Sequence, residues 1–414
     1  MWAFGGFWTW IKINFLQGRQ RGPFVLVIKR EDQMGYKFTG WAITAVVFFG
    51  TSNVYAGGAD ITLMPTDMLF EDGGENGAYA EISVGRISPD VTGTNAAPTG
   101  SMYPDFTATT LAVKMDLNDQ ISLGYANYLS AAILVDYRSA GAVGNYAAIS
   151  PGSAFVDLEI RSQLLAAKYL LGENMSVFGG LKYSETSDAT ANVLKNPRGS
   201  LTIPSASDTA FALGLAYEMP EIALRASGLY QTKTEFDLPM SSSAFPSLIN
   251  GKGALPESFT LRFQTGIAED TLAFGSIHRA NWADSQIEFE TDVNGTGNLT
   301  GSLAARSTFT TTNVYSLGIG RKISEELSIS GTYSWEEGSG PTDSSLLSTT
   351  DGKKTVSLGG KYTKGSMTLS AGYSYTQFGD YTSTGTVTGV PGMAASVFTD
   401  NSSSAVGIKV GFAF

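Results

Sequence analysis

The chain has 414 residues and a net charge of −11, from 27 Lys and Arg against 38 Asp and Glu. That balance excludes a partner bound mainly through phosphates, such as nucleic acid, which needs a basic surface. The lack of cysteine excludes disulfides and thiol catalysis, and a single histidine, His278, leaves little for a histidine-rich metal centre or triad.

The N-terminal stretch reads as processing signals rather than fold. Residues 34–56, "MGYKFTGWAITAVVFFGTSNVYA", have Lys37 as a short positive region and an apolar run at 41–49. A small-residue cleavage box follows at Val54, Tyr55 and Ala56. This is the layout of a secretory signal peptide, and the run is too short to span a membrane as a helix. Residues 1–33 precede the internal start Met34 and read as an upstream extension. The mature chain is expected to begin near Gly57, with 57–77 a short periplasmic, hatch-like segment. Within it, "FEDGGEN" carries Glu71, Asp72 and Glu75, but its spacing is not that of a calcium loop. It reads as a flexible periplasmic leader.

From residue 78 onward the pattern has period two. In "FTATTLAVKMDL" Thr109, Leu111, Val113, Met115 and Leu117 share one face, opposite Lys114 and Asp116. "QISLGYANYLS" puts Ile121, Leu123, Tyr125 and Leu129 together. "NMSVFGGLKYSET", "TAFALGLAYEM", "SFTLRFQTGI", "ELSISGTYSWEE" and "GSMTLSAGYSYT" repeat the alternation. The chain closes on Val406, Ile408, Val410, Phe412 and Phe414, with Lys409 on the other face. Very short turns (117–120, 171–174, 218–221, 268–271, 323–326, 363–366) alternate with long polar stretches (131–154, 187–205, 236–255, 283–306, 379–401).

Alternating short and long connections between such strands are the layout of an outer-membrane barrel, periplasmic turns at one end and outer loops at the other. The predicted fold is therefore all-β: a transmembrane antiparallel β-barrel of about fourteen strands over 78–414. An even strand number puts both termini on the periplasmic side of a Gram-negative-type outer membrane. A soluble sandwich or solenoid also alternates, but its solvent face carries charge, whereas here that face is Gly, Ser, Thr and Ala. Tyr183, Tyr217, Tyr333, Trp335 and Tyr375 suit interfacial girdles. The ending at Phe414 has the form of a signal for the barrel-assembly machinery.

Three stretches resemble the FadL/TodX family of outer-membrane transport proteins for long-chain fatty acids and other hydrophobic compounds. They are "MLFEDGGENGAYAEISVGRISPDVTGT", "FALGLAYEMPEIALRASGLYQTKTEFDLP" with the following "LPESFTLRFQTGIAEDTLAFGSIHRANWADSQIEF", and "KKTVSLGGKYTKGSMTLSAGYSYTQFGD" with the last strand. The resemblance implies a fourteen-stranded barrel and passive uptake of apolar molecules, with no cofactor. It also implies an N-terminal hatch with an Asn-Pro-Ala motif; that motif is absent here, so a reduced plug is expected. A general diffusion porin or a structural barrel is the alternative.

Lumen charges are expected at Lys114, Arg161, Lys182, Arg225, Arg262, Lys361 and Lys409, facing Asp116, Asp157, Glu159 and Glu336. They make either internal ion-pair ladders or a carboxylate site. For a fatty-acid head group Arg262, set near Gln264 by "SFTLRFQTG", is the first choice, followed by Arg161 and Lys361. Capture would begin among loop residues Phe245, Leu248, Ile249, Leu346 and Leu347. Ser276 and His278 share a strand face, but no outer-membrane phospholipase signature surrounds them, so no enzyme and no metal is expected. The partners are hydrophobic small molecules and outer-membrane lipid, including lipopolysaccharide.

Overall fold

The alternating segments become fourteen antiparallel strands that close on themselves. The computed structural model describes residues 59–95, 97–136, 155–192, 201–242, 249–291, 305–340, 349–382 and 397–414. The processing segments 1–33 and 34–56, loop residues Phe245, Leu248, Leu346 and Leu347, and the side chain of Ile249 lie outside that description.

The barrel strands, in chain order, are β1 (Ala78–Asp90), β2 (Phe106–Asp116), β3 (Ile121–Asp136), β4 (Phe155–Leu170), β5 (Met175–Thr186), β6 (Ser207–Met219) and β7 (Leu224–Gln231). β8 (Ser258–Ala268), β9 (Thr271–Ala280), β10 (Thr312–Lys322), β11 (Leu327–Glu336), β12 (Lys353–Lys364), β13 (Met367–Phe378) and β14 (Ser402–Ala413) follow. Closure is made by β1, which pairs with β2 on one side and β14 on the other, from Tyr79 opposite Ala413 to Asp90 opposite Ser402. A closed sheet leaves no unpaired edge, which is what lets strands cross a bilayer.

The outer face is an apolar band. Ile82, Val84, Leu111, Val113, Leu213, Leu215, Leu317, Leu358, Val406 and Ile408 all point outward and are exposed. Such a surface is stable only against lipid, so this is a transmembrane barrel. Tyr183, Tyr217, Tyr333 and Tyr375 are exposed on the same face. Lys409 points inward and pairs with Glu81 at 3.0 Å.

Beyond the long-connection ends of the strands the logic inverts. Thr234–Ser242 and Ile249–Leu255 pair as a ladder in the stretch expected to be loop, and β3 runs on to Asp136. Leu129, Ile133, Leu158, Ile160, Phe236, Leu238, Trp282 and Phe309 there form a buried apolar core. In β4 the even residues Val156, Leu158 and Ile160 are buried, so the odd ones, Asp157, Glu159 and Arg161, face outward. This corrects the expected lumen placement of those three. Within the bilayer band apolar means outward, but above it water is outside and the apolar side turns in. Leu129 is likewise buried rather than lipid-facing; the register of β3 shifts between Leu129 and Ala131, leaving Ser130 as a bulge.

Candidate functional site

The chain from Ala59 to Gly77 lies inside the barrel. Ile61 N donates to Ser130 O at 2.9 Å, and Ala132 N donates to Ala59 O at 3.2 Å, so the segment pairs with β3 at its bulge. From there it passes a short 3-10 turn, Thr66–Phe70, toward the start of β1. Met64, Met68 and Leu69 pack against Ala112, Ala126, Leu164, Phe178, Ala212 and Ala216 of the wall. Gly124 makes this approach possible: a side chain there would meet Met68 Cε at 2.7 Å and Leu69 Cδ2 at 2.8 Å. Phe70 stands edge-on to Phe178 with ring centroids 5.3 Å apart, and the Arg225 guanidinium lies 4.9 Å from its centre. At the foot, Lys114 Nζ donates to Glu71 O at 2.9 Å, and Asn76 N donates to Phe414 O at 2.6 Å. At the other end Trp282 Nε1 donates to Asp60 Oδ2 at 2.8 Å. Burial raises the Asp60 carboxyl above its ordinary range, against that bond and the charges of Lys353 and Lys182.

These contacts correct the reading of "FEDGGEN" as a flexible leader. The segment is a folded plug, tied at both ends. Its apolar run "ITLMPTDMLF" was the signal, since a free leader has no use for buried Met68 and Leu69.

Beside the plug is a cavity of about 220 Å³. The plug gives it an apolar side: Leu63, Met64, Pro65 and Met68. β10 to β13 supply a wall of hydroxyls, among them Ser316, Ser334, Thr355 and Ser370. Arg225, Arg262, Lys361 and Lys409 bring cations, and Asp67, Glu71 and Glu81 carboxylates. A smaller polar cavity of about 30 Å³ shares Thr62, Leu63, Met64, Arg262 and His278 with it. His278 Nδ1 shares a hydrogen bond with Thr260 Oγ1 at 2.9 Å. His278 Nε2 and Thr62 Oγ1 are buried without a partner, which makes them available to a ligand oxygen or water.

Arg262 Nε lies 3.7 Å from Asp67 Oδ2. Burial pushes the Asp67 carboxyl up, but Arg262, Arg225 and Lys409 outweigh it and hold the group below its usual 3.8. The contact is therefore fully present above that value and is lost only as pH falls through the lowered one.

Of the residues chosen from sequence, the structure brings Arg262, Gln264 and Lys361 to the cavity, with Gln264 Oε1 accepting from Arg225 Nη2 at 3.4 Å. Arg161 is elsewhere: from the outer face of β4 it donates to Thr109 Oγ1 at 3.1 Å and Asn127 Oδ1 at 3.0 Å. Asp67 was missed because no strand pattern covers it. Arg225 was placed in the lumen but not in the site; its parity with Gln264 across β7 and β8 would have joined them. Among the described residues, no three His, Asp or Glu groups gather as a metal site.

No family profile matches the sequence, and no curated protein is similar to it. Solved structures do match. A Pseudomonas aeruginosa FadL homologue superposes with a TM-score of 0.67 at 11% identity, over 87% of this chain and 96% of that one. The Pseudomonas putida toluene transporter TodX gives 0.58 at 14% identity, over 88% and 97%. The Ralstonia pickettii toluene transporter TbuX gives 0.59 at 12% identity, over 89% and 98%. At such identities the likeness is one of fold, and it extends over nearly the whole length of each.

Proposed function

We propose that this chain is an outer-membrane channel of the FadL/TodX type for passive uptake of long-chain fatty acids or similar hydrophobic molecules. The short turns and both barrel ends at β1 and β14 face the periplasm in this reading. The observation that carries it is the lumen itself, which holds a plug and, beside it, a cavity with one apolar side and a cationic group. A general diffusion porin needs an open aqueous lumen, and a structural barrel needs no cavity. The neighbouring folds belong to a FadL homologue and toluene transporters, which agrees in kind. No step calls for catalysis; Ser276 lines the cavity, and the recorded side-chain partner of His278 Nδ1 is Thr260, not a carboxylate.

In this mechanism the tail lies against Leu63, Met64 and Met68, and the carboxylate turns toward Arg262. Asp67 already occupies that guanidinium, so ligand and plug compete for one charge. Uptake follows the gradient and needs no energy source.

Two opposite results test the competition. A charge-assisted contact is worth about 1.5–3 kcal/mol, so Arg262→Ala will weaken oleate binding about tenfold or more. Asp67→Asn removes the competing carboxylate and will tighten it. Titration of oleate into purified, heat-modifiable protein reads both; unchanged affinity in Arg262→Ala takes that residue out of the site.

A further inference from the structure

The outward faces of β9 to β12 carry a feature that hydrophobic uptake does not use. Tyr315, Trp335 and Tyr333 form a stack of nearly parallel rings with Trp335 in common, with ring centroids 5.2 and 5.9 Å apart and planes inclined by 21° and 25°. Arg279 flanks it on one side, fixed by a 2.8 Å bond from Nη1 to Asn313 Oδ1. Lys354, directly opposite Trp335 in the register of β11 and β12, flanks it on the other. Both cations are exposed. No outward position of β9, β10, β11 or β12 carries a carboxylate. Glu257, beyond β8, is engaged by Tyr230 and Asn281, and Glu337 is exposed just past β11.

The opposite side of the barrel differs. There Arg86 is paired with Asp105 at 2.8 Å, and Arg161 is surrounded by the outward Asp157, Glu159 and Glu185. Arg86 is thus held in an ion pair, and Arg161 has carboxylates on its own strand and directly opposite on the next. On β9 to β12, Arg279 and Lys354 make no ion pair among the described residues, with exposed Glu337 the one nearby carboxylate not otherwise engaged, and they stand at the long-connection end of the apolar band.

We infer that this surface is a docking site for a phosphorylated glycolipid of the outer leaflet, the bisphosphorylated disaccharide of lipid A. Three requirements coincide. Flat aromatic rings stack on the apolar faces of sugar rings, and Trp and Tyr belong at the interface where a lipid's sugar lies. Arg and Lys bind phosphate, Arg in two-pronged fashion. Their strands are three spacings apart, about 14 Å, which lets two phosphates be held at the two ends of a disaccharide. A generic aromatic girdle requires neither a stacked trio nor two exposed cations outside any ion pair. The inference rests on the outer-membrane reading above.

The test is native mass spectrometry of full-length protein extracted from outer membranes in mild detergent, after adding bisphosphorylated lipid A, monophosphorylated lipid A or phosphatidylglycerol. Heat-modifiability and oleate binding are measured on the same samples. The wild type is expected to retain bisphosphorylated lipid A in preference to both others. Arg279→Gln with Lys354→Gln will lower that retention about tenfold, the worth of one charge-assisted contact, while the fold and oleate binding stay unchanged. Trp335→Leu will lower it without a change of charge. The inference is overturned if the double variant keeps the lipid as the wild type does. It is also overturned if Arg86→Gln with Arg161→Gln lowers retention equally, or if phosphatidylglycerol is held as well. A wild type that does not fractionate with outer membranes defeats the membrane reading instead, and this inference with it.

Discussion

Removing residues 59–72 will convert a nearly silent barrel into a conducting one. The deletion takes away Met64, Met68, Leu69 and Phe70, whose packing against Ala126, Leu164, Phe178 and Ala212 fills the lumen. It spares Gly77, whose carbonyl accepts from Asp116 N at 2.7 Å, and so leaves the mouth of β1 intact. The strands that close the barrel pair with one another rather than with the plug, so the sheet survives. A milder route gives the same direction. Gly124→Ala asks only the flexible ends of Met68 and Leu69 to yield, whereas Gly124→Leu overpacks the contact, at a cost of about 1–3 kcal/mol. Planar-bilayer recordings should then show long closed periods in the wild type, brief openings in Gly124→Leu and steady conductance in the deletion. Large steady conductance in the wild type would favour a porin.

Val410→Asp will deplete the folded protein from membranes. Val410 sits opposite Ile82 on β1 and Leu369 on β13, so a carboxylate there enters the middle of the apolar band. A charge on the lipid face costs up to about 2–4 kcal/mol at the midplane, the acidic residues less than the basic. Deleting Phe414 acts at a second point. Its backbone N donates to Ala78 O at 2.9 Å and its carbonyl accepts from Asn76, so the last residue joins β1 and the foot of the plug. The ratio of heat-modifiable to unfolded protein in membrane fractions measures both. Wild-type levels in both variants would show that the last strand does not face lipid.

Much of the barrel was legible in the sequence because lipid enforces it. Leu111, Val113 and Met115 against Lys114, or Val406 to Phe412 against Lys409, can be sorted by alternation alone. The short turns then count the strands. What alternation cannot show is where the solvent changes. In β4 the same chemical rule places Leu165 outward in lipid and Leu158 inward above it, and Arg161 was misassigned for that reason. The resemblance implied a reduced plug, but where it seats was hidden for another reason. Residues 59–77 have no period, and Met68 and Leu69 are buried against strands distant in sequence. Arg262, Gln264 and Lys361 could be found because each lies on a strand with a clear inward parity. Their partner Asp67 could not, since it comes from the plug.

The central claim is that the cavity beside the plug takes an apolar molecule with a carboxylate head. Equilibrium binding of labelled oleate to purified wild-type protein tests it most directly, with toluene as the uncharged comparison. The account predicts saturable binding of oleate at one site, weakened by Arg262→Ala and strengthened by Asp67→Asn. A folded wild type with no saturable binding of oleate, whether or not it binds toluene, would contradict it.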